Sequence, residues 1–339
     1  MKSNRAVVFW LLTGCFLIFI MVLVGGITRL TNSGLSMTDW KLVTDMIPPL
    51  TEEKWEVAFE KYKQFPEYQK INIHYDFTIE DYKFIYFWEW LHRLLGRLLG
   101  IVFIIPFLYF LIKKKFDPST LRNCIILLAL GALQGFLGWF MVKSGLIDHP
   151  DVSHYRLALH LITAFITFAF CIWVALNLIY GEKKHPFIKL RNLLRVAWVV
   201  LIIQIVWGAF VAGLGAGYLH NTWPLMNDGK FIHETVYIEQ NPLWKNFVEG
   251  KSGVQFVHRT LAYIVVGLMF YIAIISRRFT LDTTQRKGIN AIMILVSLQF
   301  ILGIFTLVYG VPLWLGIAHQ IGAFLLLGGT TFALHRFSR

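Results

Sequence analysis

Phe87-Trp-Glu-Trp-Leu-His92-Arg93 reads, position for position, against Gly253-Val-Gln-Phe-Val-His258-Arg259. Both stretches stand at the head of long apolar runs, and three further pairs keep the same order. Gly25-Gly-Ile-Thr-Arg-Leu-Thr-Asn-Ser-Gly34 matches Gly208-Ala-Phe-Val-Ala-Gly-Leu-Gly-Ala-Gly217, with Trp40 falling on Trp223. Leu133-Gln-Gly-Phe-Leu-Gly138 matches Leu298-Gln-Phe-Ile-Leu-Gly303, and Leu159-His160 with Ala164-Phe165 matches Ala318-His319 with Ala323-Phe324. The chain is therefore an internal duplication. One position breaks it: Glu89, three residues before His92, is replaced in the second copy by Gln255.

The duplicated units are membrane bundles. Of 339 residues, 56% are hydrophobic and only 15% charged, too apolar a balance for an ordinary soluble protein. Runs long enough to cross about 30 Å of hydrocarbon as helices are read near 6-26, 84-112, 122-143, 155-180, 192-213, 254-276, 288-309 and 312-335. The expected fold is an all-α membrane protein, eight transmembrane helices forming two pseudo-symmetric four-helix bundles. Its halves are residues 1-182, which include a long outer loop over 27-83, and residues 183-339. Four helices separate the copies, an even number, so the repeats run parallel and not inverted.

Charge orients them. One set of loops and termini carries 17 basic residues against only Asp117, Glu182 and Asp282, whereas loops 27-83, 143-156 and 218-251 carry 12 basic and 16 acidic residues. The positive-inside rule then puts both termini in the cytoplasm. The net charge of +12 is a topology signal and implies no nucleic-acid partner. The first segment shows no small-residue cleavage site and reads as a retained helix. Cys15, Cys124 and Cys171 all lie in apolar segments, as small packing residues without a disulfide framework. Within the outer loop, Thr51 starts a helix whose Trp55, Phe59 and Tyr62 share one face. That stripe either caps the bundle or docks a partner.

Four histidines, His92, His160, His258 and His319, fall early in alternate segments, toward the outer leaflet on this topology. Two histidines facing inward from alternate helices of a four-helix bundle supply the two axial ligands of a heme iron. Two such pairs imply two heme sites. Zinc fits less well, because no cysteine or carboxylate set completes a tetrahedron. Arg93 and Arg259, next to two of the histidines, are candidates for heme propionates; for Arg93 the alternative is an ion pair with Glu89 one helical turn away. Glu89, a carboxylate in a membrane helix close to His92, is the candidate catalytic residue. Gln134 and Gln299 can hydrogen-bond across the bundle or near a heme, and read first as packing groups. His149, His154 and His220 belong to outer loops or their edges, while His74, His185 and His335 are expected to face solvent.

These motifs resemble those of heme A synthases across the whole chain. The resemblance rests on Gly25-Gly-Ile-Thr-Arg-Leu-Thr-Asn-Ser-Gly-Leu-Ser-Met, Glu89-Trp-Leu-His-Arg, Leu157-Ala-Leu-His160, Phe256-Val-His-Arg259 and Ile317-Ala-His319. Thr38-Asp-Trp-Lys, Ile47-Pro-Pro and Tyr62-Lys-Gln-Phe-Pro-Glu-Tyr68 resemble the proteobacterial and mitochondrial branch, which lacks the outer-loop cysteine pair of another branch. The resemblance implies that heme O, the substrate, is held in the first half by His92 and His160, and heme b, a cofactor, in the second by His258 and His319. It maps the family's essential acid onto Glu89, and implies oxidation of the porphyrin C8 methyl through an alcohol and a hydrated aldehyde to a formyl group, making heme A for cytochrome oxidase. Two routes stay open: oxygen activation after loss of an axial ligand, or stepwise electron removal with Glu89 as base. Further expectations are a bacterial inner-membrane location, a heme O synthase and an electron donor such as ferredoxin as partners, contact with membrane lipids, and a homo-oligomer. The leading rival is a di-heme b-type electron-transfer protein, and a heme-binding transporter is a third reading.

Overall fold

A computed structural model describes residues 5–38, 46–145, 152–181 and 187–338. Trp40, His149, His185 and the boundary between 182 and 183 lie outside the described residues. The chain is all-α, with no strand among the described residues. Eight of its helices are long and apolar enough to cross a membrane: α1 (Arg5–Leu30), α4 (Ile79–Ile112), α5 (Pro118–Gly145), α6 (His154–Tyr180), α7 (Ile188–Leu214), α8 (Lys251–Ser276), α9 (Thr283–Val308) and α10 (Leu313–Ser338). Two short helices, α2 (Glu52–Tyr62) and α3 (Pro66–Lys70), lie between α1 and α4. The boundaries follow local chemistry. Thr78 and Asp81 form a reciprocal capping box at the start of α4, Asp282 and Gln285 another at α9, and Gly215 ends α7 with a left-handed φ of 63°.

In the first half α1 packs on α4 and α6, and α5 on α6 and α4; in the second α7 packs on α8 and α10, and α9 on α10 and α8. The same arrangement is thus built twice. The halves meet through α1, α6, α7 and α10, where the main apolar core gathers Leu11, Phe165, Leu194, Leu201 and Phe324. Phe165 and Phe324, counterparts in the repeat, touch edge to face at 5.2 Å, and Phe168 stacks on Phe324 at 3.8 Å. Contact between counterparts places the pseudo-twofold relation between α6 and α10, as expected for parallel repeats.

Helix α4, at 34 residues, is about 51 Å long and so overshoots the hydrocarbon. Its first turns make a platform for the outer loop. Thr51 caps α2 by accepting from Lys54 N, and the expected stripe lands on that platform: Trp55 lies 5.1 Å from Tyr86, Phe59 5.3 Å from Tyr82 and Tyr62 5.0 Å from Tyr82. The stripe therefore caps the bundle, with Phe59 and Tyr62 buried. Burial and the neighbouring Glu67 carboxylate push the Tyr62 phenol far above its ordinary value; its hydroxyl donates to Glu67 Oε2 at 2.9 Å. Tyr82 passes this bracing on, since its hydroxyl donates to Ser36 O at 3.4 Å, next to the candidate acid. Cys15, Cys124 and Cys171 are buried free thiols.

Candidate functional site

Each of the four inward histidines is seated against a glycine of a neighbouring helix. A methyl group on Gly25 would stand 3.1 Å from His92 Nε2, and one on Gly138 3.1 Å from His160 Cε1. In the second half a methyl on Gly208 would stand 3.0 Å from His258 Cε1, and on Gly303 2.9 Å from His319 Cε1. Gly25 and Gly208 are counterparts, as are Gly138 and Gly303. The glycines that the duplication repeats are thus the ones that let an imidazole lie flush against a helix backbone.

The glutamines repeat too. Gln134 Nε2 donates to the His160 carbonyl at 3.0 Å and sits 3.1 Å from its Nδ1; Gln299 Nε2 does the same for His319 at 3.0 and 3.2 Å. Both amide nitrogens thus brace the carbonyl of the histidine's own turn and stand beside its ring. These are hydrogen bonds across the bundle, from α5 to α6 and from α9 to α10.

In the second half the rings of His258 and His319 have centroids 6.3 Å apart and planes at 84°. Two imidazoles on one metal ion, each with its nitrogen at about 2.0–2.1 Å, would have ring centroids about 6 to 6.5 Å apart. The spacing fits a bis-histidine iron with crossed ring planes, and the donors are of the type that hold heme. In the first half His92 and His160 lie within electrostatic reach of each other across the bundle. Among the described residues no cluster of three or more histidine, cysteine or carboxylate groups is placed to hold a bare metal ion.

Glu89 is 3% exposed, and every contact it makes is to a donor. Its Oε2 accepts from Ser36 Oγ at 2.8 Å and from Met37 N at 2.7 Å, and its Oε1 from Arg93 Nη2 at 2.6 Å. The segment Ser33-Gly-Leu-Ser-Met37 folds over it from the end of α1. Arg93 also donates to Met37 O at 3.1 Å, a contact the second half reproduces with Arg259 Nη1 donating to His220 O at 3.4 Å. What the second half lacks is the charge and its hydroxyl donor. Gln255 replaces Glu89, and Leu219 stands where the first half has Ser36. Gln255 Nε2 turns to Ala216 O at 3.0 Å, and its Oε1 is buried with no hydrogen-bond partner among the described residues. An ion pair with side chains 4% and 6% exposed adds little net stability for the desolvation it costs. It is present in one half alone.

The arginines make contacts the sequence left open. Arg93 takes the ion pair with Glu89, and Arg259 Nη2 donates to Thr222 O, Pro224 O and Leu225 O at 2.9 to 3.1 Å, clamping the loop after α7. Ser36 and the Met37 amide, the partners of Glu89, were not singled out from sequence; Ser36 sits inside a quoted motif, and its pairing with Leu219 in the repeat was the available signal. His233 was also missed. With His220, Thr235 and Ser252 it forms a hydrogen-bonded cluster above α8. His335, expected to face solvent, is instead buried: its ring bonds Asn177 Oδ1 at 2.9 Å and meets Trp173 edge-on at 4.9 Å. The last turn of α10 packs on α6 at the junction of the halves, which is why a basic terminal turn is not solvated there.

Residues 8–331 match the model of the cytochrome oxidase assembly protein family. Over all 339 residues of both chains the sequence is 65% identical to a protein of Flavobacterium psychrophilum named heme A synthase. The chain belongs to this family. A heme A synthase of Flavobacterium johnsoniae is 63% identical, with 100% of this chain and 99% of that protein covered. One of Parvibaculum lavamentivorans is 40% identical over 337 residues, covering 99% and 96%. The family resemblance carried by the histidine motifs therefore extends through every helix described above.

Proposed function

We propose that this protein is an oxidoreductase that makes heme A by converting the C8 methyl of heme O to a formyl group. In this reading His92 and His160 hold heme O in the first half, and His258 and His319 hold heme b in the second. One observation carries the division of labour: a buried carboxylate held by three donors stands beside the histidine of one half, and a glutamine without them stands in the other. The activity itself is supported by full-length likeness to proteins named heme A synthase.

Heme b, when bound, supplies one-electron transfer. The protein's own groups do the rest. The four glycine seats, with the two glutamines alongside, orient the imidazoles that would hold the two porphyrins. Arg93 and Arg259, each next in sequence to a histidine, can share their guanidinium groups with propionates. Ser36, the Met37 amide and Arg93 fix the Glu89 carboxylate; about one acceptor position remains on it, and this can take a proton released as the methyl is oxidised.

Both termini face the cytoplasm of a bacterial inner membrane and the heme sites lie toward the outer face, a topology supported by the 17 basic against three acidic residues on one side. A heme O synthase would supply the substrate and a donor such as ferredoxin the electrons. Expression of the chain beside a heme O synthase, followed by chromatography of the extracted hemes, should yield heme A. Heme O left unchanged, with both histidine pairs loaded, would favour a di-heme electron carrier, which needs the four histidines but has no use for Glu89.

A further inference from the structure

At the opposite end of the second half from its histidines, the hairpin of α8 and α9 leaves a cleft of about 350 Å³. Arg277, just past the end of α8, and Arg286, in the first turn of α9, line its mouth; Ser276 and Asn290 add polar edges. Phe270 and Ile274 continue its wall along the bundle exterior, 44% and 56% exposed at a level where the surroundings are lipid. Arg277 lies about 28 Å along α8 from His258, so the cleft is no part of the heme site.

The charges here are unbalanced. Arg277, Arg278, Arg286 and Lys287 are all exposed, and none is in an ion pair among the described residues. The one acid in this turn, Asp282, is held by the Gln285 amide at 2.8 Å and the Thr284 hydroxyl at 2.7 Å as the cap of α9. Burial alone would raise its carboxyl, but these hydrogen bonds outweigh that effect and hold it below the ordinary value. Two guanidinium groups at the mouth of a cleft, on the boundary between water and hydrocarbon, match a phosphodiester, which they can bind through paired N–H donors. The volume holds a small headgroup. The exposed apolar wall below it suits acyl chains, a feature a free anion would not need.

We propose that the α8–α9 cleft is a binding site for an anionic phospholipid, with Arg277 and Arg286 on the headgroup phosphate and the chains against Phe270 and Ile274. Basic pockets between membrane helices bind anionic headgroups on these grounds. The test uses the full chain in detergent, delipidated, with thermal unfolding and native mass spectrometry read against added phosphatidylglycerol, phosphatidylcholine or inorganic phosphate. Phosphatidylglycerol should bind and raise the unfolding midpoint, phosphatidylcholine much less, and inorganic phosphate alone not at all. The variant Arg277→Gln/Arg286→Gln should bind phosphatidylglycerol about thirtyfold more weakly. Lys113→Gln/Lys114→Gln, which removes the same charge from the matching turn of the first half, should bind like the parent. Equal loss in both variants would mean general charge attraction, and stabilisation by phosphate alone would mean a free-anion site; either overturns the proposal. Should the arginine variant fail to fold, a photoactivatable phosphatidylglycerol on the parent decides: crosslinks within residues 270–293 support the site, and crosslinks elsewhere refute it.

Discussion

Alanine at Gly303 tests whether the histidines are seated as ligands. Its methyl would stand 2.9 Å from His319 Cε1, about 0.6 Å inside an ordinary carbon contact. The ring cannot slide freely, because Gln299 holds both its Nδ1 edge and the backbone of its own turn. Overpacking of this kind costs about 1–3 kcal/mol, and if the strain falls on ligand geometry, heme retention drops about 5- to 150-fold. Gly208→Ala, with a contact of 3.0 Å to His258, should behave alike. Gly135 and Gly267 are the controls. Neither has an atom within 4 Å of a new methyl, so alanine there should gain about 0.5–1 kcal/mol from helix propensity alone. Heme per protein, the reduced absorption spectrum and the thermal midpoint measure all four variants. If Gly303→Ala and Gly208→Ala keep the parent's heme content and spectrum and gain stability like the controls, the glycine seats do not position ligands.

Ser36→Ala removes one of three donors to Glu89 while leaving the ion pair, at a cost of about 1.5–3 kcal/mol; heme conversion should fall, its pH profile should move, and heme content should stay at the parent level, all read on extracted hemes. Replacing Trp55, Phe59 and Tyr62 together with serine strips the α2 face from Tyr82 and Tyr86 and should lower the thermal midpoint without changing which porphyrin is bound. His220 is held below its ordinary value of 6.5 by burial, then by His233 and Arg259. A histidine with a depressed folded value contributes stability that is present above about pH 6.5 and lost as pH falls through that lower value, so protection factors for hydrogen exchange over 218–250 should fall as the solution is acidified, and less so in His220→Gln.

The duplication made most of the fold legible. Apolar length, the basic loops and the matched motifs defined eight helices and their pairing, because spanning a bilayer leaves few alternatives to a helix. Thr51 as a cap and the Trp55, Phe59, Tyr62 stripe were readable from local spacing. The four histidines stood out because they recur. What escaped were contacts made by segments distant in sequence and irregular in backbone: Ser36 reaching Glu89, His233 joining His220, and the carbonyls that Arg259 clamps. No periodicity encodes these. His335 was misjudged because a basic residue in a last turn usually meets water, and only packing between the halves shows that this one does not.

Whether Glu89 turns over substrate or only braces Arg93 is decided by Glu89→Gln, which gives the first half what position 255 already carries in the second. The change leaves Arg93 without its carboxylate in a site where both side chains are nearly inaccessible, and breaking a buried pair this way costs about 3–5 kcal/mol. The comparison therefore has to be made at matched heme occupancy, on folded protein expressed beside a heme O synthase. Chromatography of the extracted hemes should show heme O or its hydroxylated form accumulating in Glu89→Gln, with heme A nearly absent. Heme A at close to the parent's level would contradict the assignment and leave Glu89 as a structural partner of Arg93.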